Sequence, residues 1–96
     1  MKQQERTIYG RLGKNPELRM TKKEKPYCTF TFAEESPDEG EPRWHNVVMW
    51  EKESEHWAKT LKKGTQIFVH GRIQEKNFND KQYSEINAEA IGLVGL

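Results

Sequence analysis

The chain has one cysteine, Cys28, in 96 residues, so it can form no internal disulfide. It has no long apolar run: the longest are a few residues, against the roughly 20 that a membrane-spanning helix needs. It carries little net charge, with 16 Lys and Arg against 15 Asp and Glu. Overall charge therefore selects no partner, and the distribution of charge has to do so. Only 33% of residues are hydrophobic, a thin core for 96 residues, and self-association would help such a chain. Ten per cent aromatic content argues against disorder. The start, Met1 to Arg6, is polar and lacks the apolar core of an export signal, which with the lone cysteine points to the cytoplasm and away from any membrane. Enzyme signatures are missing too. There is no GxGxxG, GxxxxGK[ST], GxSxG, HExxH or CxxC, so a binding protein without catalysis, cofactor or small-molecule substrate is expected. His45, His56, His70 and Cys28 fall at no metal-ligand spacing, and no metal site is expected.

What is present reads as one domain over residues 1–96 built mainly of strands. Thr7 to Leu12 is strand-like and ends in the turn residues Gly13, Lys14, Asn15 and Pro16. Pro26 to Ala33 alternates strictly, with Cys28, Phe30 and Phe32 on one face and Tyr27, Thr29 and Thr31 on the other. Residues 34–41, EESPDEGE, hold five of the acidic residues and no Lys or Arg, and read as an acidic surface loop. The rest of the chain is consequently basic. Arg43 to Trp50 is a third strand, rich in aromatic and β-branched residues. A short helix fits Ser54 to Lys63, capped by Ser54 and stopped by Gly64, with Trp57, Ala58 and Leu61 on its packed face. Thr65 to Gln74 forms a further strand with Gly71 as a bulge or bend, and the hairpin Ile73–Phe78 with Gln82–Ala90 turns at Asn79, Asp80 and Lys81. Five strands with a helix between the third and fourth match an all-β OB-fold, a five-stranded Greek-key β-barrel.

The residues that carry chemistry are aromatics interleaved with bases. Trp44, Trp50 and Phe78 each adjoin polar or charged neighbours, an unusual setting for core aromatics. Flat rings that stack on bases, beside Lys and Arg that track phosphates, are how single-stranded nucleic acid is held. The candidate phosphate-binding cations are Lys14, Arg19, Lys22, Lys23, Lys52, Lys62, Lys63, Arg72 and Lys76, spread over loops, helix end and strands. Trp57, at helical spacing from Leu61, is assigned to packing, and Cys28 to a small buried hydrophobe.

Four segments in order and spacing carry a family resemblance: Gly10-Arg11-Leu12-Gly13-Lys14-Asn15-Pro16-Glu17-Leu18-Arg19, Trp44-His45-Asn46-Val47-Val48, Leu61-Lys62-Lys63-Gly64 and Val69-His70-Gly71-Arg72-Ile73. Over nearly its full length the chain resembles the OB-fold domain of bacterial single-stranded DNA-binding proteins. The resemblance implies a non-enzymatic protein that coats single-stranded DNA with little sequence preference during replication, recombination and repair. It implies base stacking at Trp44, Trp50 and Phe78, backbone contacts at Lys52, Lys62, Lys63 and Lys76, and a subunit-interface role for His45. The implied assembly is a homo-oligomer, commonly a tetramer, with a dimer as the alternative.

The sequence also departs from the family. A tryptophan found after the second strand in some members has no counterpart, and the acidic stretch 34–41 that occupies its region is expected to repel phosphates. Asn46 and Asn77 stand where some members have basic residues, so weaker or more salt-sensitive binding is expected. The sequence stops at Leu96, where members usually continue through a linker to an acidic tip; a shortened chain or a compact variant is expected. The alternative function is a primosome-like or accessory OB-fold adaptor whose main ligand is a protein.

Overall fold

In the computed structural model, residues 4–35 and 43–94 are described, with only the backbone of Phe78, Lys81, Gln82 and Tyr83. Six strands and one helix follow in order: β1 Gln4–Leu12, β2 Glu17–Met20, β3 Pro26–Glu34, β4 Arg43–Trp50, α1 Lys52–Thr60, β5 Gln66–Phe78 and β6 Lys81–Leu93. The sheet runs β1-β5-β6-β4-β3-β2, and β1 pairs with β3 as well. Five long strands thereby form a ring with one parallel pair, β4 with β6, and α1 lies between β4 and β5 in the chain as expected. The addition is β2, whose four residues are all exposed. With no buried face, β2 lacks the alternation that marks a strand in sequence.

The ring has its inside because each strand alternates. Ile8 and Leu12 of β1, Cys28, Phe30 and Phe32 of β3, Val47 and Met49 of β4, Ile67, Val69 and Ile73 of β5, and Ile86 and Ile91 of β6 form one buried cluster with Leu61. Trp57 and Ala58 of α1 pack against it, as their spacing predicts. Burial pushes the Cys28 thiol up to about 11. In β6 the inward residues change parity between Ala88 and Ile91. The register with β5 shifts at His70 and Gly71, leaving Glu89 as the extra residue of a bulge. Asn79 and Asp80 both have positive φ and make the two-residue turn of the β5–β6 hairpin.

Closure occurs on one edge of β3. Its first half pairs there with β2, Tyr27 opposite Arg19 and Thr29 opposite Glu17, and its end pairs with β1, Phe32 opposite Leu12 and Glu34 opposite Gly10. At this junction a Cβ on Gly10 would overlap the carbonyl oxygen of Ala33. Only glycine lets the two backbones approach that closely.

Several boundaries differ from the sequence-based expectation: β1 begins at Gln4 and not Thr7, β5 runs unbroken to Phe78, and β6 starts at Lys81, a residue expected in the turn, and reaches Leu93. The helix covers Lys52–Thr60 and not Ser54–Lys63. Ser54 does not cap it: the side chain is buried in the first turn, where its hydroxyl donates to the Glu51 carbonyl. Glu51, at φ 61°, makes the corner that leads from β4 into the helix. At the other end Leu61 turns extended and enters the core, so Lys62 and Lys63 follow the helix and do not belong to it. Gly64 has φ +85° in the turn that follows.

The expected acidic loop also begins later than Glu34, which ends β3 because its carboxylate has partners, His45 Nε2 at 2.9 Å and Arg6 at 3.8 Å. Glu35 is exposed and faces Arg11 at 3.7 Å. The remainder of that stretch lies in residues 36–42, outside the described residues.

Replacing Gly10 by valine is expected to cost about 1–3 kcal/mol, the usual range for forcing atoms into a packed site. For a domain of this size that lowers Tm by at least about 4 °C, and an unchanged Tm in thermal denaturation would mean that the β1–β3 junction tolerates separation.

Candidate nucleic-acid interface

Strand alternation that fills the interior with Cys28, Phe30 and Phe32 turns Tyr27, Thr29 and Thr31 outward. On β4 the residues in register with them also face outward: Trp50 beside Tyr27, Val48 beside Thr29, Asn46 beside Thr31 and Trp44 beside Ala33. Trp44 and Trp50 are therefore on one face of one strand, roughly 20 Å apart at about 3.3 Å per residue. They are 53% and 45% exposed. Both are propped from the side. The Trp50 ring lies against Tyr27 with centroids 5.0 Å apart and planes tilted by 32°. The Trp44 ring lies over Gly13, where an added Cβ would come 2.9 Å from its Cη2.

Between the tryptophans is an open cleft of about 300 Å³, lined among others by Lys14, Thr29, Thr31, Asn46, Val48 and Glu85. Glu85 reaches it from β6 because the parallel β4–β6 pairing sets Asn46 beside Glu85.

The candidate cations divide by place. At the Trp50 end, Arg19 is opposite Tyr27, Lys22 and Lys23 occupy the β2–β3 turn, and Lys52 follows the tryptophan by two residues. At the Trp44 end, Lys14 lines the cleft, and the Lys62–Lys63 segment is tied to the same loop by the Lys63 N–H, which donates to Asn15 Oδ1 at 2.8 Å. Three cations already have acidic partners: Arg19 with Glu17 at 2.5 Å, Lys76 with Glu85 at 3.3 Å and Arg72 with Glu89 at 3.4 Å. Arg72, on β5, stands two strands away from β4 and is not gathered with the tryptophans. The backbone of Phe78 ends β5 at the hairpin turn, and its side chain lies outside the described residues.

His45 is on the inward parity of β4 and 4% exposed. Its Nε2–H donates to Glu34 Oε1 at 2.9 Å, and Nδ1 is hydrogen-bonded to the Ser84 hydroxyl. Within one chain it therefore joins β3, β4 and β6, and both ring nitrogens are used in doing so.

Sequence spacing does not reveal the Tyr27–Trp50 pair or Glu85 in the cleft, although the outward parity of Tyr27 was legible. It also does not reveal Glu5, His70 and Glu89, whose ligand-type atoms lie within 4.8 Å of one another. These come from β1, β5 and the β6 bulge, so no motif links them. His70 Nε2–H donates to Glu5 Oε1 at 3.1 Å, and Nδ1 lies 2.7 Å from the Thr7 hydroxyl. The bond from His70 holds the Glu5 carboxyl below its usual value.

A model of the Single-strand binding protein family matches residues 4–93, which is nearly every described residue. The chain belongs to this family. Single-stranded DNA-binding protein A of Bacillus subtilis (strain 168) is 35% identical over 94 residues, covering 88% of this chain and 55% of the relative. Single-stranded DNA-binding protein 2 of Listeria monocytogenes is also 35% identical, covering 88% of this chain and 59% of the relative. The chain thus spans little more than half the length of these curated relatives. The fold is shared with a small single-stranded DNA-binding protein from Streptomyces coelicolor at TM-score 0.81 and 18% identity, over 97% of this chain and 95% of that one.

Two substitutions test how this family member holds its site. Gly13→Ala is expected to push the Trp44 ring outward, seen as a red shift in tryptophan emission; unchanged emission would show that Gly13 does not seat the ring. His45→Ala is expected to cost about 1–3 kcal/mol in urea denaturation, because it leaves the Glu34 carboxylate with Arg6 alone and the Ser84 hydroxyl without its ring partner.

Proposed function

We propose that the chain binds single-stranded DNA without catalysis, coating it with little sequence preference in replication, recombination or repair. The observation that carries this reading is the pair of half-exposed, propped tryptophans on one face of β4 with cations at both ends. Bases stack on Trp44 and Trp50, each contact worth about 1–3 kcal/mol and indifferent to base identity because every base has a π-face. Phe78 adds a stacking position at the hairpin tip. Phosphates are held at one end by Arg19, Lys22, Lys23 and Lys52, and at the other by Lys14, Lys62 and Lys63, with Lys76 and Arg72 contributing from β5. Family membership supports the reading, as do the relatives, which are named for single-stranded DNA binding.

The protein acts in the cytoplasm as a homo-oligomer, a tetramer before a dimer. Support for assembly comes from the far side of the ring. There Tyr9 stands exposed next to Phe68, ring centroids 6.1 Å apart, with Val94 also exposed, and apolar side chains so placed are better covered by another copy. His45 serves assembly by fixing the ends of the strands beneath, since its own side chain is covered.

Titration with an oligo(dT) strand at two salt concentrations, followed by tryptophan emission, tests the function. Saturable quenching that weakens with salt is expected, with a logarithmic slope of about −0.7 per phosphate neutralised. Trp44→Ala and Trp50→Ala are each expected to lose about 1–3 kcal/mol of binding while circular dichroism stays unchanged. Absence of quenching at low salt would overturn the reading in favour of a protein-binding adaptor. Sedimentation of the free protein tests the assembly, and a monomer at micromolar concentration would refute it.

A further inference from the structure

We infer that Tyr27 is the positioning residue of the Trp50 stacking site: its ring holds the indole in the orientation that a base needs, and Trp50 contributes fully to binding only with Tyr27 beside it. The inference rests on the single-stranded DNA reading above and gives a role to a residue that lies in none of the four segments carrying the family resemblance. Trp50 needs a support because of where it stands. It is the last residue of β4, and the chain leaves the sheet at once through Glu51, at φ 61°. The β4–β6 pairing covers only His45 to Val48, so Trp50 lies past it, and Tyr27 is its one cross-strand neighbour among the described residues. An indole 45% exposed at such a strand end keeps a choice of rotamers unless a neighbour removes it, and rotamer freedom lost on binding weakens the complex.

Tyr27 is placed to remove that freedom. Its ring centroid lies 5.0 Å from that of Trp50 with planes tilted by 32°, within the range at which aromatic pairs attract beyond the area they bury. Tyr27 is half-buried in β3 and paired on both sides, with Arg19 of β2 and with Trp50 of β4. Two neighbouring strands therefore fix its backbone. The Glu51 N–H, donating to the Pro26 carbonyl at 2.8 Å, also ties the end of β4 to the start of β3 beside the two rings. The support is thus rigid, and one side of the indole rests on it while the exposed side is left for a base. The same arrangement gives β2 a role. None of its four residues is buried, so it adds nothing to the core; what it adds is the second strand that holds Tyr27. Trp44 does not share this dependence, because its ring is seated over Gly13 and its β3 neighbour is Ala33, which has no ring to lend. The two tryptophans are oriented by different means, and only Trp50 answers to Tyr27.

The test is a double-mutant cycle read by oligo(dT) affinity, with the fold checked by circular dichroism. Tyr27→Val, which keeps a strand-forming residue, is expected to weaken binding about two- to tenfold, the cost of immobilising one rotamer-rich side chain. In the Trp50→Ala chain the same change is expected to have less than about a twofold effect, since no indole is left to orient, whereas in the Trp44→Ala chain it costs its full factor. Tyr27→Phe, which retains the ring, is expected to rescue the loss. Labelling with fluorotryptophan reads the free protein: the fluorine resonance of Trp50, identified by its disappearance in Trp50→Phe, is expected to move in Tyr27→Val while that of Trp44 stays in place. Tyr27→Leu, which fills more of the same space, repeats every arm if Tyr27→Val loses its fold. Unchanged affinity or an unmoved Trp50 resonance would overturn the inference. So would an equal loss in the Trp50→Ala chain, which would mean that Tyr27 touches the DNA itself, and so would failure of Tyr27→Phe to rescue, which would assign the effect to the hydroxyl. In each of these cases single-strand binding stands. Absence of oligo(dT) binding by the wild type would instead overturn the function, and the inference with it.

Discussion

The site depends on the contact between Gly10 and the Ala33 carbonyl, because there a twisted sheet becomes a closed ring. β3 has to serve two partners along one edge, β2 near Tyr27 and β1 near Phe32, and it can do so only if β1 comes in without a side chain at the crossing. Once β3 is held at both ends, its other edge is committed to β4 in a fixed register. That register sets Tyr27 beside Trp50 and brings the outward rows of β3 and β4 into one surface. The exposed tryptophans are thus placed by a contact made on the opposite edge of the neighbouring strand.

Charge around the ring is compensated in part. Arg19, Lys76 and Arg72 each face a carboxylate, and the Glu34 carboxylate is drawn into the His45 network. Exposed pairs of this kind add little to stability, commonly under about 1 kcal/mol, but they hold long side chains in place and temper the field around the ring. Among the described residues no carboxylate pairs with the lysines at positions 14, 22, 23, 52, 62 and 63, which leaves the unpaired positive charge at the two ends of the tryptophan face.

Much of this was legible in the sequence wherever burial alternates. The β3 pattern gave both faces correctly, Arg43–Trp50 matched β4 at each end, and the turn at Asn79 and Asp80 was readable from residue type, as was an irregularity at Gly71, although the extra residue there is Glu89 of β6. β2 was not legible, because its exposed residues leave no burial pattern and it forms only by lying against β3. The helix ends were misplaced because Ser54 and Leu61 have local signals that packing overrides: a good capping residue is buried, and a residue of the apolar face leaves the helix to enter the core. The cleft was beyond reach for a different reason. Asn46 and Glu85 meet only through a parallel pairing between strands far apart in the chain, and nothing in either segment announces the other.

The burial of Cys28 has a consequence for handling the protein. With its thiol at about 11, only about one molecule in ten thousand carries the reactive thiolate at neutral pH, and the sulfur has no path to solvent while β3 is paired on both edges. A thiol-directed reagent can therefore modify the chain only during the moments when the ring is open. The rate of modification becomes a clock for those openings, and any partner that clamps β3 and β4 together will slow it without touching the cysteine.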